Sequence, residues 1–134
     1  MLVDDDRADN IFHSRVIRKA NVANEIIVME RPLDALEYLR GSEKEQSPQP
    51  ELIFLDINMP KMNGWEFLEE YVELPSSQKA DAVVVMLSTS LNPDDQRKAN
   101  EIEVVSRYLS KPLTRETLLE ILETNFPGRN WPKA

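Results

Sequence analysis

The sequence predicts an α/β domain built on a five-stranded parallel sheet with helices on both faces. Five short apolar runs, rich in β-branched residues, alternate with five segments of helical period. The apolar runs lack clean period-two alternation, as strands buried on both faces do. The length, 134 residues, suits one such domain and is too short for two ordinary ones. At this size about two-thirds of the unfolded surface is buried, so no disulfide or metal staple is needed.

The first strand is Met1–Val3, which is short, since only Met1, Leu2 and Val3 precede Asp4. A helix follows with Phe12, Val16, Ile17 and Ala20 along one face. The second strand is Glu25–Met29. The second helix opens with Pro32 at its first position, lines up Leu33, Leu36 and Leu39, and stops at Gly41. Leu52–Leu55 forms the third strand, and Trp65, Leu68, Tyr71 and Val72 mark the third helix. The fourth strand is Ala82–Leu87. Asn92 caps the fourth helix and Pro93 starts it, but from Asp94 to Ile102 only Ala99 and Ile102 are apolar. Helices draw most of their stability from an apolar stripe, so this one is the most loosely held. Arg107–Ser110 is the fifth strand. Thr114 caps the last helix, with Leu118, Ile121, Leu122 and Phe126 inward. The polar stretches Ser42–Pro50 and Pro75–Asp81 read as surface loops. The domain is expected over residues 1–126, with a short tail over 127–134.

Composition narrows the function. Acidic residues number 24 against 16 basic, a net charge of −8, which argues against nucleic acid or an anionic membrane as partner. The longest apolar run, Ala82–Leu87, is far below the roughly 20 residues that span a bilayer. No secretory leader is visible at the N-terminus, so a cytoplasmic location is expected. There is no cysteine and one histidine, His13, which argues against thiolate zinc sites, cysteine nucleophiles and a Ser-His-Asp triad.

In open α/β sheets, ligands bind beyond the carboxyl ends of the strands. Asp4, Asp5 and Asp6 follow the first strand, Asp56 the third, Ser88, Thr89 and Ser90 the fourth, and Lys111 the fifth. Crowded carboxylates repel and raise each other's proton affinity unless a cation holds them. Magnesium suits such oxygen donors best, together with waters and phosphate oxygens. Lys111 adds an opposing charge, and the Ser88 hydroxyl can donate to an anionic oxygen. These parts make a phosphoryl site that works by positioning and charge.

Val3-Asp4-Asp5-Asp6, Leu55-Asp56-Ile57-Asn58-Met59-Pro60 with Asn63-Gly64, Met86-Leu87-Ser88-Thr89 and Tyr108-Leu109-Ser110-Lys111-Pro112 together carry a family resemblance. Over essentially its full length the chain resembles the receiver domain of bacterial two-component response regulators. The resemblance implies a flavodoxin-like sheet of strand order 2-1-3-4-5. It implies Asp56 as phosphoacceptor, and magnesium held by Asp5, Asp56, the Asn58 backbone carbonyl and, through water, Asp4. It implies that Lys111 contacts a phosphoryl oxygen and pairs with Asp56 in its absence. Ser88 would follow the phosphoryl group, and Tyr108 would change rotamer with the signal. The Lys111-Pro112 bond would be cis. Thr89 stands where a smaller residue is common, which implies narrower access to Asp56.

The function so implied is a receiver that takes phosphate from a histidine kinase or histidine phosphotransfer protein. It would act through protein–protein contacts and catalyse only its own phosphorylation and dephosphorylation. The fourth helix, fifth strand and fifth helix would form the contact surface, with Arg97, Lys98, Arg107 and Tyr108 as candidates. The species would be a monomer or a phosphorylation-dependent dimer. Alternatives are a receiver excised from a larger regulator or hybrid kinase, and an adaptor that works without phosphorylation. A magnesium phosphohydrolase would need a second acid two residues after Asp56, where this chain has Asn58.

Overall fold

Each strand sends alternate side chains to opposite faces of one sheet, and both faces are covered. In the computed structural model, which describes residues 1–41, 49–74 and 82–133, the strands are β1 (Leu2–Val3), β2 (Val28–Met29), β3 (Leu52–Asp56), β4 (Val83–Ser88) and β5 (Val105–Ser110). All neighbours are parallel, in the order 2-1-3-4-5. The helices are α1 (Arg7–Ala20), α2 (Pro32–Arg40), α3 (Gly64–Val72), α4 (Pro93–Glu101) and α5 (Arg115–Asn125). Apart from Gln49 and Pro50, the two expected polar loops fall outside the described residues.

The two faces explain the missing alternation in the strands. On one, Leu36, Leu39, Phe67, Leu68 and Tyr71 cover Val3, Ile53, Leu55, Val84 and Met86. On the other, Ile17, Ala20, Leu118, Ile121 and Leu122 cover Leu2, Phe54, Val85 and Leu87. In β3 and β4 both faces therefore lose water, and every position before the terminal Asp56 and Ser88 is apolar. A register shift beside Val84 sets Tyr108 opposite Met86 and Ser110 opposite Ser88.

Caps fall where the local chemistry asks for them. Asp6, Asn63, Asn92 and Thr114 accept first-turn N–H groups of α1, α3, α4 and α5. Gly41 ends α2 in the left-handed region, φ 64°. α4 buries only Ala99, with Ile102 at its C-cap half-buried against the core. It forgoes the about 1.5–3 kcal/mol that each fully buried Leu or Phe supplies elsewhere.

The sequence expectations needed several adjustments. β2 is confined to Val28–Met29, whereas β5 begins at Val105, two residues earlier than Arg107. β3 and β4 each run one residue further, so Asp56 and Ser88 are the last residues of their strands. In α1 the buried face is Asn10, His13, Ser14, Ile17 and Ala20, and Phe12 is exposed. Leu33 and Val72 are also exposed. The cause in α1 is that polar side chains face inward to bind backbone groups at the strand ends.

The residues after Phe126 fold back on the domain. The Trp131 indole N–H donates to the Phe126 carbonyl at 3.1 Å, and Arg129 pairs with Glu51 at 2.6 Å. Among the described residues no helix is long and apolar enough to cross a membrane.

Candidate functional site

Strand register brings the separate sequence motifs together. Val3 of β1 pairs with Leu55 of β3, so Asp4 emerges beside Asp56. Asp56 pairs with Leu87, and the Ile57 N–H donates to the Leu87 carbonyl, which places Ser88 one residue further along the same rim. Ser88 pairs with Ser110, and its carbonyl accepts from the Lys111 N–H at 2.8 Å. Four strands thus deliver two acids, a hydroxyl and an amine to one end of the sheet.

Asp4, Asp5 and Asp56 each offer an oxygen, and these oxygens all lie within 4.8 Å of one another. Asp4 and Asp56 are buried and Asp5 is exposed, so the cluster opens to solvent on the Asp5 side. Three hard anionic oxygens at this spacing suit magnesium, which takes one or two carboxylates and keeps several waters. Asn58, two residues past Asp56 in the loop to α3, is exposed.

Lys111 compensates the cluster from the other side. Its ammonium donates to Asp4 Oδ2 at 2.8 Å and to Asp9 Oδ2 at 2.8 Å, and it pairs with Asp56 Oδ1 at 3.1 Å. The Lys111-Pro112 peptide is cis. Burial pulls the Lys111 ammonium down, but the hydrogen bonds to Asp4 and Asp9 outweigh it, and the net shift is upward. Asp56 is pushed up to about 6, first by desolvation and then by Asp4, with Lys111 opposing. Burial and the neighbouring Asp4 together thus outweigh the lysine at Asp56.

Ser88 is buried, and its hydroxyl stays within its own loop. It donates to the Ser90 carbonyl at 2.7 Å and accepts from the Ser90 N–H at 3.2 Å. The Tyr108 hydroxyl donates to the same carbonyl at 3.4 Å and accepts from the Asn92 N–H, the cap of α4, at 3.1 Å. Tyr108 is already buried. The other residues expected on a contact surface hold internal partners: Arg97 pairs with Asp94, Lys98 lies 4.9 Å over the Trp65 ring, and Arg107 pairs with Glu120 at 3.2 Å.

Three residues at this end, Asp9, Asn10 and His13, were not assigned to it by the sequence reading, and a fourth, Gly64, was read only as part of a motif. Asp9 reaches Lys111 from the first turn of α1. Asn10 donates to the Asp4 carbonyl at 2.9 Å, and the neutral His13 imidazole accepts from the Leu113 N–H at 3.2 Å. Burial lowers the His13 pKa, with Asp9 opposing. At Gly64 a Cβ would lie 2.7 Å from the Asp56 carbonyl and 3.0 Å from Ile57 Cα, so the start of α3 packs directly on the Asp56 backbone. The Asn63-x-x-Glu66 capping box was legible in the sequence and would have fixed that start. A separate cavity of about 420 Å³, lined by Ile17, Leu52, Leu122, Phe126 and Trp131, lies at the opposite end of the sheet.

A doubly wound parallel sheet whose carboxyl rim gathers acids around one lysine defines a class of α/β domain with charge chemistry at that rim, and the comparisons narrow the class. The response regulator receiver domain family matches residues 1–123. Response regulator Rcp1 of a Synechocystis strain is 34% identical over 92% of this chain and 82% of its own. A two-component response regulator from Cytophaga hutchinsonii superposes with a TM-score of 0.83 at 33% identity, covering 92% of each chain. The Mn2+-bound form of Rcp1 gives 0.72 at 32% identity, over 98% of this chain and 96% of that one. The phosphorylated cyanobacterial phytochrome response regulator RcpA gives 0.74 at 30% identity, again over 98% and 96%. The chain belongs to the response regulator receiver domain family, and such domains work in two-component signalling rather than as conventional enzymes.

Proposed function

We propose that this domain, over residues 1–126 with 127–134 as a tail, accepts a phosphoryl group on Asp56 and passes the signal on by protein–protein contact. The donor is a histidine kinase or histidine phosphotransfer protein, the target is another protein, and the setting is the cytoplasm. The species is a monomer, or a dimer formed on phosphorylation. One observation carries the reading: Asp56 ends a central strand within 4.8 Å of two other acids and 3.1 Å from the Lys111 ammonium.

Asp5, Asp56 and the Asn58 carbonyl would hold magnesium, with Asp4 acting through water; the bound ion supplies positive charge that screens an incoming phosphoryl group from the acids. A carboxylate oxygen of Asp56 attacks phosphorus as the bond to the donor breaks, and the donor leaves with that electron pair. With acetyl phosphate the products are aspartyl phosphate and acetate. Water attack on phosphorus later restores the carboxylate and releases inorganic phosphate. Lys111 pairs with the new oxygens, which bring about −1.5 to −2 charges. Ser88 turns from Ser90 to donate to one of them, Tyr108 gains the freed acceptor, and the cap of α4 moves with it. The Mn2+-bound Rcp1 and phosphorylated RcpA structures support the metal and the modification by similarity.

Incubation with acetyl phosphate and magnesium tests this. The wild-type chain should incorporate phosphate and the Asp56→Asn variant should not. Equal labelling of the variant overturns Asp56 as the acceptor.

A further inference from the structure

We propose that Asp9, outside the acidic cluster, is a positioning residue for Lys111 and sets how that charge is shared between the metal side and the phosphoryl side. The inference rests on Asp56 as phosphoacceptor. Asp9 stands in the first turn of α1, where its N–H is fixed by the Asp6 side chain at 3.0 Å. Its carboxylate holds the Lys111 ammonium at 2.8 Å, as close as Asp4 and closer than Asp56 at 3.1 Å.

An ammonium has three N–H groups. Two go to Asp4 and Asp9, which leaves one to face Asp56. Asp9 thus withholds a donor that a phosphoryl oxygen could use. It also offsets the lysine charge felt by a cation among Asp4, Asp5 and Asp56. Of the three partners, Asp9 is the most exposed, at 34% of its side chain against 6% for Asp4 and 5% for Asp56. Water can therefore replace its bond to Lys111 at least cost. Removing its charge should move the two ligands in opposite directions. The uncompensated ammonium repels the metal, and its freed N–H strengthens the hold on the phosphoryl group.

The full chain is titrated with magnesium alone, then with beryllofluoride, a phosphoryl mimic, at saturating magnesium, following Trp65 fluorescence. Asp9→Asn should weaken magnesium about three- to tenfold and tighten beryllofluoride by a similar factor. Asp9→Ser should give the same pair of shifts by a different side chain. Asp9→Glu, which keeps the ion pair, should stay within about twofold of wild type for both. If both affinities weaken together in the neutral variants, or neither changes, or Asp9→Glu copies Asp9→Asn, the role is overturned. A wild-type chain that takes up no beryllofluoride, or an Asp56→Asn chain that takes it up equally well, overturns the phosphoacceptor reading itself and the Asp9 role with it.

Discussion

Ser88 and Tyr108 share one acceptor, the carbonyl oxygen of Ser90, at 2.7 and 3.4 Å from their hydroxyls. Any event that recruits Ser88 elsewhere hands that carbonyl to Tyr108. The same tyrosine hydroxyl accepts from the Asn92 N–H, where α4 begins. The link between Ser88 at the acidic rim and α4 is thus a short chain of hydrogen bonds.

Ser88→Ala removes the first link and should leave the fold intact, which a wild-type circular dichroism spectrum would show. Beryllofluoride with magnesium should change hydrogen exchange over residues 92–105 in the wild-type chain. In Ser88→Ala that change should shrink severalfold while binding persists. Full retention of the exchange change would remove Ser88 from the relay.

Asp56 makes stability depend on pH in a direction opposite to most paired carboxylates. Its folded pKa, about 6, lies above its ordinary value of 3.8. The fold therefore favours the protonated acid, a contribution present below pH 4 and lost as pH rises toward 6 and beyond. Without divalent cation, Asp56→Asn should be more stable than wild type by about 1–3 kcal/mol at pH 7, and about equal below pH 4. Magnesium should raise the wild-type melting temperature and narrow the gap, because it binds the folded wild type better. Denaturant melts at pH 4 and 7, with and without magnesium, check both parts.

Gly64→Ala drives a Cβ into the Asp56 carbonyl, 2.7 Å away. The clash is with backbone, so β3 or α3 must shift. We expect a loss of about 1–3 kcal/mol together with slower phosphate incorporation from acetyl phosphate. Melting curves and labelling rates on the same sample report the two effects.

His13 contributes as a neutral acceptor. Its folded pKa lies below the ordinary 6.5, so its contribution is present above pH 6.5 and lost as pH falls through the lowered value. His13→Ala leaves the buried Leu113 N–H without its acceptor and should cost about 1–3 kcal/mol at pH 7.5. The gap to wild type should close in acid, which urea midpoints at pH 5 and 7.5 would show.

The sheet was legible because strands buried on both faces leave an unmistakable apolar run, as in Ala82–Leu87 and Leu52–Leu55. Asp4, Asp5, Asp56 and Lys111 were legible because strand ends in a parallel sheet converge on one rim. Asp9, Asn10 and His13 were not. They sit on a helix whose inward face was assumed apolar, whereas these polar groups turn inward to bind Lys111, the Asp4 carbonyl and the Leu113 N–H. Periodicity registers where apolar residues recur and has no signal for a polar side chain buried to hold backbone. Phe12 was placed inward for the same reason and is exposed. Gly64 was visible as part of a motif, but its steric reason appears only when Asp56 is placed behind it.

The thin attachment of α4 bears on how such a protein diversifies. Ala99 alone is fully buried among its nine residues, so Gln96, Arg97, Asn100 and Glu101 carry almost no obligation to the interior. Substitutions there can accumulate without unravelling the domain, and the vocabulary offered to a partner can be rewritten while the acids at the rim stay fixed.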